Sequence, residues 1–235
     1  MSRPAALAVV LIAGLAAATA APPPRPNVLV LTLDTTRADR LGCYGNPVAL
    51  TPTIDRLSRG GLVFSDAHSS VPITLPSHTS LFTGRYPHHT GVRDNGLHKV
   101  PAAALLLAEI LRDAGYQPQA HVSAAVLDRT FGLDQGFAVY DDDVRVGRPD
   151  AFNYQERAAS QVTASAIARV TDIASPYFLW IHYYDPHAQY VPPRPFDAWA
   201  GGAPYDGEIA FVDISIAHLL RALTPTPALS ATAGN

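Results

Sequence analysis

The sequence predicts an α/β fold in which a mostly parallel β-sheet lies between helices on both faces. Strand-like apolar runs alternate with helical segments along the chain, which is the order of βαβ units. The run at 26–34 is rich in leucine and β-branched residues and ends at Asp34, as is typical of a strand that is buried on both faces. The run at 176–187 is predicted as a strand that leads into a His-Asp-Pro-His loop. A length of 235 residues with 48% hydrophobic content favours one domain.

The elements are bounded by proline, glycine and polar residues. A first strand is predicted over 26–34, and a helix over 51–61 has Pro52 in its first turn and two glycines at its end. Segment 62–70 alternates between apolar and polar residues and is predicted as a strand. The later predictions are a helix over 76–85, a helix over 102–115, a strand over 117–127, a helix over 154–173, a strand over 176–187 and a helix over 205–223.

The N-terminus predicts export from the cytoplasm. Arg3 precedes an apolar run over 5–18, and Ala18-Thr19-Ala20 suits signal-peptide cleavage. The run would span about 21 Å as a helix, short of the roughly 30 Å hydrocarbon core of a bilayer. We predict a signal peptide over 1–20, a proline-rich spacer over 21–26, a domain over 27–223 and an unstructured tail over 224–235. The mature protein would be secreted or periplasmic, and held at a membrane only by an uncleaved N-terminal segment.

Composition narrows the function classes. A formal net charge of −3 gives no electrostatic case for nucleic-acid binding. The single cysteine, Cys43, excludes a disulfide within the chain and any site with several cysteine ligands. The acidic run at 141–143 could hold calcium, but a solvated turn is the favoured interpretation.

Four polar clusters contain the candidate functional residues: 34–37, 74–78, 93–95 and 182–187. Each has a simpler interpretation, because an aspartate after a strand can cap a turn and a threonine before a helix is more often an N-cap than a nucleophile. Together they suit one chemistry. Carboxylate and amide oxygens, as in Asp34 and Asn95, are the ligands of hard cations. The hydroxyl of Thr74 at a helix N-terminus would lie where an anionic ester is held.

Arginine and histidine side chains, such as Arg37 and His182, would neutralise the oxygens of a bound sulfate or phosphate. The residues alone therefore predict metal-assisted attack on an ester of a tetrahedral oxyanion.

At this point the sequence resembles the N-terminal part of the sulfatase family, within the alkaline phosphatase superfamily. The segments that carry the resemblance are PNVLVLTLDTTRADRLGCYG (26–45), TPTIDRL (51–57), TLPSHTSLFTGRYPHHTGVRDN (74–95), FGLDQGF (131–137), FLWIHYYDPHAQY (178–190) and YDGEIAFVD (205–213). The resemblance implies an alkaline phosphatase/sulfatase-like fold and a divalent cation, calcium first, with magnesium, zinc or manganese as alternatives. It also implies a small-molecule, glycan or lipid ester as the substrate.

The resemblance also implies roles for individual residues. Asp34 matches the family's first metal-binding aspartate, and Thr74 takes the place of the cysteine or serine that becomes formylglycine. His78 stands where the family signature has arginine, Asn95 resembles an asparagine near the nucleophile, and His187 matches a substrate-contacting histidine. We therefore predict Thr74, His78 and His187 as catalytic, Arg37, Asn95 and His182 as substrate-binding, and Asp34, Thr74 and Asn95 as metal-binding.

Two departures from the family pattern shape these expectations. Threonine cannot become formylglycine, because oxidation of a secondary alcohol gives a ketone, so Thr74 would attack as an alkoxide. That chemistry favours phosphoryl transfer over sulfate release. Thr35 stands where a second aspartate is usual, and no Asp-His or Asp-Asn-Gly follows residue 190. We therefore expect an incomplete metal site in a truncated, N-terminal portion of the domain.

Three hypotheses follow from the sequence. The chain is a metal-dependent hydrolase of sulfate or phosphate esters, a phosphotransferase or phosphodiesterase that uses Thr74 as a covalent nucleophile, or a non-catalytic remnant.

Overall fold

The computed structural model describes residues 24–144, 148–149, 155–170 and 173–224. A four-stranded parallel sheet with the spatial order β1-β6-β2-β3 forms the centre of the fold. Its strands are β1 (Val28–Leu33), β2 (Gln117–His121), β3 (Val139–Asp141) and β6 (Tyr177–Tyr183). A separate antiparallel pair consists of β4 (Arg148–Pro149) and β5 (Gln155–Glu156).

The helices cover both faces of the sheet. They are α1 (Pro52–Arg59), α2 (Thr74–Thr83), α3 (Pro87–Thr90), α4 (Leu107–Asp113), α5 (Ala159–Val170), α6 (Phe196–Trp199) and α7 (Pro204–Leu223). Short 3₁₀ turns span Ala38–Arg40, Gly42–Tyr44, Ala125–Leu127 and Arg129–Phe131.

The alternation of side chains along the strands divides the core into two clusters. On one face, Phe178 and Trp180 of β6 pack with Leu75 and Phe82 of α2. On the other face, Leu179, Ile181 and Tyr183 pack against α5 and α7. Adjacent residues of β6 thus contribute to opposite clusters, which is why this strand is apolar at nearly every position. The predicted three-layer α/β class is confirmed.

A buried carboxylate links two helices, α1 and α7, that are distant in sequence. Asp213 of α7 accepts hydrogen bonds from the backbone N–H groups of Thr53 (3.1 Å) and Ile54 (2.9 Å) in the first turn of α1. The residue that precedes α1, Thr51, makes no side-chain capping bond of its own. Asp213 therefore caps a helix that lies 160 positions earlier in the sequence.

Several predicted elements differ from the structure. The strand predicted over 62–70 is wrong, because these residues form an exposed, irregular segment. The helix predicted over 102–115 begins only at Leu107, and the strand predicted over 117–127 ends at His121. An alternating pattern indicates which side chains can face a core. A strand also needs a neighbouring strand whose backbone groups form hydrogen bonds with its own.

The predicted signal peptide over 1–20 and almost all of the predicted tail over 224–235 lie outside the described residues. Within the described ranges, no helix combines the length and the apolar character needed to cross a membrane.

Candidate functional site

The candidate site begins where β1 ends and α2 starts. The N–H of Asp34, directly after β1, donates to the carbonyl of Tyr183 at 2.9 Å and fixes the loop against β6. The Thr74 hydroxyl, on the first residue of α2, donates to Oδ2 of Asp34 at 2.9 Å. Ligand sites in open α/β sheets lie at the carboxyl ends of the strands, and this pair occupies such a position.

The loop between Asp34 and Arg37 is held by Tyr205, a residue that sequence reasoning did not select. The hydroxyl of Tyr205, in the first turn of α7, donates to the carbonyl of Thr35 at 2.7 Å and accepts from the N–H of Arg37 at 2.9 Å. Thr35 has a φ of +48°, a backbone conformation that is uncommon outside glycine. No local sequence signal links residues 35 and 205, because only the folded chain brings them together.

Asn95 lies beside Thr74 because it caps α2. The residue that precedes α2, Ile73, has no side-chain acceptor, and Oδ1 of Asn95 accepts from the N–H of Leu75 at 2.9 Å. Pro76 has no N–H and the N–H of Ser77 donates to the carbonyl of Ile73 at 3.0 Å. The N–H of Thr74 is therefore the remaining donor of this helix end, so an anion here would depend largely on the helix dipole and on side chains.

His78 is one turn beyond Thr74 on α2 and is buried. Its Nδ1–H donates to the carbonyl of Thr74 at 2.8 Å, and its ring lies 5.0 Å from that of His182. Burial, followed by the charge of His182, lowers the pKa of His78 to about 4. At neutral pH the side chain is uncharged and so does not replace the positive charge of the arginine expected at this position.

His182, on β6, lies behind Asp34 with a fully buried side chain. Its Nε2 is 3.4 Å from Oδ2 of Asp34 and makes no hydrogen bond of normal geometry within the described part of the chain. On its other side, Nδ1 lies 3.4 Å from the hydroxyl of Ser123, which donates to the His182 carbonyl at 2.7 Å. The structure thus places His182 between Ser123 and Asp34.

The pKa of Asp34 reflects competing effects. Burial raises it, but the close approach and charge of His182 and the hydrogen bond from Thr74 outweigh burial and leave the pKa of Asp34 below its ordinary value. Asp34 is therefore a carboxylate at neutral pH, and it accepts the Thr74 hydroxyl as a charged partner.

Two further predicted site residues, Arg37 and His187, make contacts outside the Asp34–Thr74 pair. The Arg37 guanidinium pairs with Asp39 at 2.6 Å and its side chain is 64% exposed, so the structure directs it to the surface. The ring of His187 stacks on Tyr184 with a centroid distance of 4.2 Å. The loop that carries His187 contacts the site through a hydrogen bond from the Thr35 hydroxyl to the carbonyl of Pro186. The substrate-binding roles of Arg37 and His182 and the catalytic role of His187 stay predictions.

The donor atoms near Thr74 do not by themselves fit a complete cation site. Asp34 supplies one carboxylate and Thr74 one hydroxyl, while the Asn95 amide oxygen accepts a backbone N–H. Calcium takes six to eight oxygen ligands. Among the residues that the structure describes, no group of three or more His, Cys, Asp or Glu side chains could hold a metal ion. A cation here would need ligands beyond Asp34 and Thr74.

The arrangement suits one chemical operation. A hydroxyl whose hydrogen is directed to a carboxylate presents its oxygen lone pairs elsewhere, at the positive end of a helix dipole. That geometry is suited to attack by Thr74 on an anionic ester.

Comparison with known proteins gives a consistent picture. The family model named Sulfatase matches residues 26–229. N-acetylgalactosamine-6-sulfatase of Canis lupus familiaris is 28% identical over 262 aligned positions, which cover 92% of this chain and 50% of that protein. Human arylsulfatase A is 36% identical over 121 positions, which cover 49% of this chain and 23% of that protein.

Similarity to solved structures supports the fold. The crystal structure of phosphonate monoester hydrolase from Agrobacterium radiobacter superposes with a TM-score of 0.68 at 18% identity, covering 85% of this chain and 59% of that one. The chain spans about half the length of the first curated relatives that it matches. With a family match over nearly all of the described residues and a sheet of the same architecture, the chain belongs to the sulfatase family.

Proposed function

We propose that this chain supplies the nucleophile of a sulfatase-family hydrolase that cleaves sulfate esters. The observation that carries the proposal is the 2.9 Å hydrogen bond from the Thr74 hydroxyl to Asp34 at the start of α2. The family match and the names of the curated relatives, which are sulfatases, support the sulfate ester as the substrate class. A small-molecule or glycan ester, or a lipid ester, is the proposed substrate.

The proposed reaction has two displacements. Oγ1 of Thr74 forms a bond to the sulfur or phosphorus atom while the bond to the ester oxygen breaks, and the hydroxyl proton leaves to the ester oxygen or to solvent. Water then attacks the sulfur or phosphorus atom, the bond from that atom to Oγ1 breaks, and a proton from the water restores the Thr74 hydroxyl as sulfate or phosphate leaves. Asp34, with a lowered pKa, is a weak base, and its role is to orient Thr74. His78, bonded to the Thr74 carbonyl, holds the first turn of α2 in place.

A second candidate function is phosphoryl transfer through a phosphothreonine at position 74. Threonine at the nucleophile position favours it, because the route by which formylglycine releases sulfate, collapse of a hemiacetal, does not exist for a threonine ester. A phosphothreonine is instead cleared by attack of water at phosphorus. In this reading the chain is a phosphotransferase or phosphodiesterase of the same superfamily.

The proposal includes the divalent cation and the location outside the cytoplasm that the sequence predicts. Asp34 would contribute to a divalent-cation site, with calcium as the first candidate and magnesium, zinc and manganese as alternatives, and the other ligands would come from outside the Asp34–Thr74 pair. His187 and Arg37 would approach the substrate from their loops. The protein would work outside the cytoplasm after cleavage of its signal peptide, and an intact Met1 on protein from a secretion-competent host would contradict that location.

Turnover of aryl substrates tests the nucleophile. Wild type, Thr74→Ala and Thr74→Ser would be assayed on 4-nitrophenyl sulfate, 4-nitrophenyl phosphate, the diester bis(4-nitrophenyl) phosphate and a 4-nitrophenyl phenylphosphonate. Each assay would be run with calcium, magnesium, zinc or manganese. Thr74→Ala should lose turnover by a factor on the order of 10³ or more, and Thr74→Ser should retain part of it. Thr83→Val, at the far end of α2, is the matched control, because the Thr83 hydroxyl bonds only within the helix and its turn.

The pattern of substrates separates the hypotheses. Turnover of sulfate supports the first candidate, and turnover of phosphate or phosphonate alone supports the second. Full activity in Thr74→Ala would show that Thr74 is not the nucleophile. Absence of turnover in the wild type with every substrate and cation would support a non-catalytic remnant and reject both enzymatic proposals.

A further inference from the structure

Thr35 has a strained backbone directly after Asp34. Its φ of +48° is the only positive value at a non-glycine position among the described residues. Threonine is branched at Cβ, and such residues are genuine outliers in this region, which glycine adopts readily. Strained residues persist only where their surroundings fix them, and they cluster at functional sites. The bonds that hold Thr35 in this conformation therefore bear on the position of Asp34.

Two hydrogen bonds to one oxygen atom fix the chain on the far side of Thr35. The Tyr205 hydroxyl donates to the carbonyl of Thr35 at 2.7 Å and accepts from the N–H of Arg37 at 2.9 Å. Because a peptide group is planar, the direction of the Thr35 carbonyl depends directly on the ψ angle of Thr35. A single phenol oxygen thus orients the peptide groups on both sides of Thr36.

Tyr205 is itself held in place by the fold. It lies in the first turn of α7, and the ring of Tyr190 packs edge-on against its ring with a centroid distance of 5.1 Å. The next residue, Asp206, pairs with Arg40 at 3.3 Å and so joins α7 to the turn that follows the loop. Partial burial raises the pKa of Tyr205, so the phenol keeps the hydrogen that it donates to Thr35.

The other bonds of the loop act on other atoms. The N–H of Asp34 donates to the carbonyl of Tyr183 at 2.9 Å, and the Thr35 hydroxyl donates to the carbonyl of Pro186. Neither bond involves the Thr35 carbonyl. Without the Tyr205 hydroxyl, Thr35 would rotate toward the negative φ that threonine prefers and turn the chain beside Asp34. The Asp34 carboxylate would then move away from the Thr74 hydroxyl, its donor at 2.9 Å.

We propose that Tyr205 is a positioning residue, which holds Thr35 in its left-handed conformation and so keeps the Asp34 carboxylate on the Thr74 hydroxyl. The consequence for turnover rests on the proposed function, whereas the consequence for the Asp34 and Thr74 side chains does not. A tyrosine that only stabilises α7 would act in the same way whatever residue occupies position 35. The identity of residue 35 therefore separates positioning from simple stabilisation.

Residue-resolved NMR spectroscopy tests the positioning without any activity measurement. Tyr205→Phe removes the hydroxyl and keeps the ring. In this variant the Asp34 amide should exchange with solvent about 10-fold or more faster than in the wild type, because the loop opens more often. The Thr74 methyl group should show coupling constants averaged over more than one χ1 rotamer, since the hydroxyl loses its fixed acceptor. Tyr190→Phe removes a hydroxyl from the neighbouring ring and is the matched control, which should leave both signals unchanged.

Replacement of Thr35 tests whether strain is the cause. In a Thr35→Gly background, Tyr205→Phe should change the exchange rate of the Asp34 amide by less than about 3-fold, because glycine adopts a positive φ without support. Thr35→Ala also lacks the hydroxyl but keeps Cβ, so in that background the effect of about 10-fold should remain. The two backgrounds differ only in the presence of Cβ at residue 35.

Turnover of the aryl esters gives a second measurement. Tyr205→Phe should lower kcat by about 10- to 100-fold with little change in KM, since the reacting groups are misplaced while the substrate still binds. Combination with Thr35→Gly should restore part of this loss, and combination with Thr35→Ala should not.

Two results would overturn the proposal. Unchanged Asp34 exchange and an unchanged Thr74 methyl signal in Tyr205→Phe would show that the hydroxyl does not position the pair. Equal effects of Tyr205→Phe in the Thr35→Gly and Thr35→Ala backgrounds would show that strain at Thr35 plays no part. A wild type without turnover would reject the proposed function, and the NMR measurements would still decide the positioning.

Discussion

Removal of the Asp213 carboxylate should destabilise the protein through a helix that lies far away in sequence. The side chain is 2% exposed, and it accepts the N–H groups of Thr53 and Ile54 at the start of α1. Loss of a helix cap costs about 1 kcal/mol, and a buried N–H without an acceptor costs about 1–3 kcal/mol. Because α1 can move so that water reaches one of these donors, we expect Asp213→Ala to lower the free energy of unfolding by about 2–3 kcal/mol. Asp213→Asn, which keeps one acceptor oxygen, should lose about 1 kcal/mol.

Urea unfolding followed by far-UV circular dichroism measures the effect. The midpoint should shift to lower urea with an unchanged slope, because the change removes stability and not buried surface. In a thermal melt, the same loss in a domain of this size should lower Tm by about 5–10 °C. Asp206→Asn is the control, since its partly exposed pair with Arg40 at 3.3 Å is worth about 1 kcal/mol at most. A loss below about 0.5 kcal/mol in Asp213→Ala would refute the capping role.

The same residue predicts a pH dependence. Burial raises the pKa of Asp213 above its ordinary value, against the effect of the hydrogen bonds from α1. A raised pKa in the folded state means that folding favours the protonated form, so this contribution to stability is complete below the unfolded pKa and is lost as pH rises through the folded pKa. The stability of the wild type relative to Asp213→Asn should therefore increase as pH is lowered from 7 toward 4. A difference that is constant over this range would contradict the assignment.

Three further changes test other parts of the structure. Arg157→Met should lower the free energy of unfolding by about 3 kcal/mol in urea, because the buried guanidinium contacts Asp141 at 3.0 Å and its loss removes the arginine charge that faces this partly buried carboxylate. A loss below about 1 kcal/mol would contradict this. Asn95→Ala should lower the free energy of unfolding by about 1 kcal/mol and reduce any turnover that depends on Thr74, because the N–H of Leu75 loses its acceptor. Asn95→Asp keeps an acceptor oxygen and should retain stability and turnover, so equal behaviour of the two variants would exclude the cap. Asp34→Asn should weaken calcium binding in calorimetry by about 10-fold or more, and equal binding by the wild type and the variant would remove Asp34 from the cation site.

The parts of the fold that depend on local sequence could be predicted, and so could the meeting of Asp34 and Thr74. Apolar runs identify β1 and β6, and the end of β1 accounts for the position of Asp34. Thr74 follows no strand, and its assignment to the same site came from its position at a helix start and from the family resemblance. The role of Asn95 could not be predicted, because a turn sequence does not reveal which helix its amide caps.

Errors arose where a partner distant in sequence determines the outcome. The acidic run at 141–143 was predicted as a solvated turn, but Asp141 pairs with the buried Arg157 and contacts His121 at 3.2 Å. The strand predicted over 62–70 has the right alternation, yet no strand pairs with it among the described residues. Local pattern gives a segment its preference, and long-range pairing decides whether that preference is satisfied.

The pairing of β1 with β6 has a consequence for synthesis of the chain. About 140 residues separate the end of β1 from the start of its neighbour. At roughly 5–20 residues per second, a ribosome would need about 7–30 s to make that stretch. For all of that time, VLVLTL is an uncharged β-prone segment that can pair only with the wrong partner. Chaperones that keep the nascent chain extended would therefore matter most for the first strand to be made.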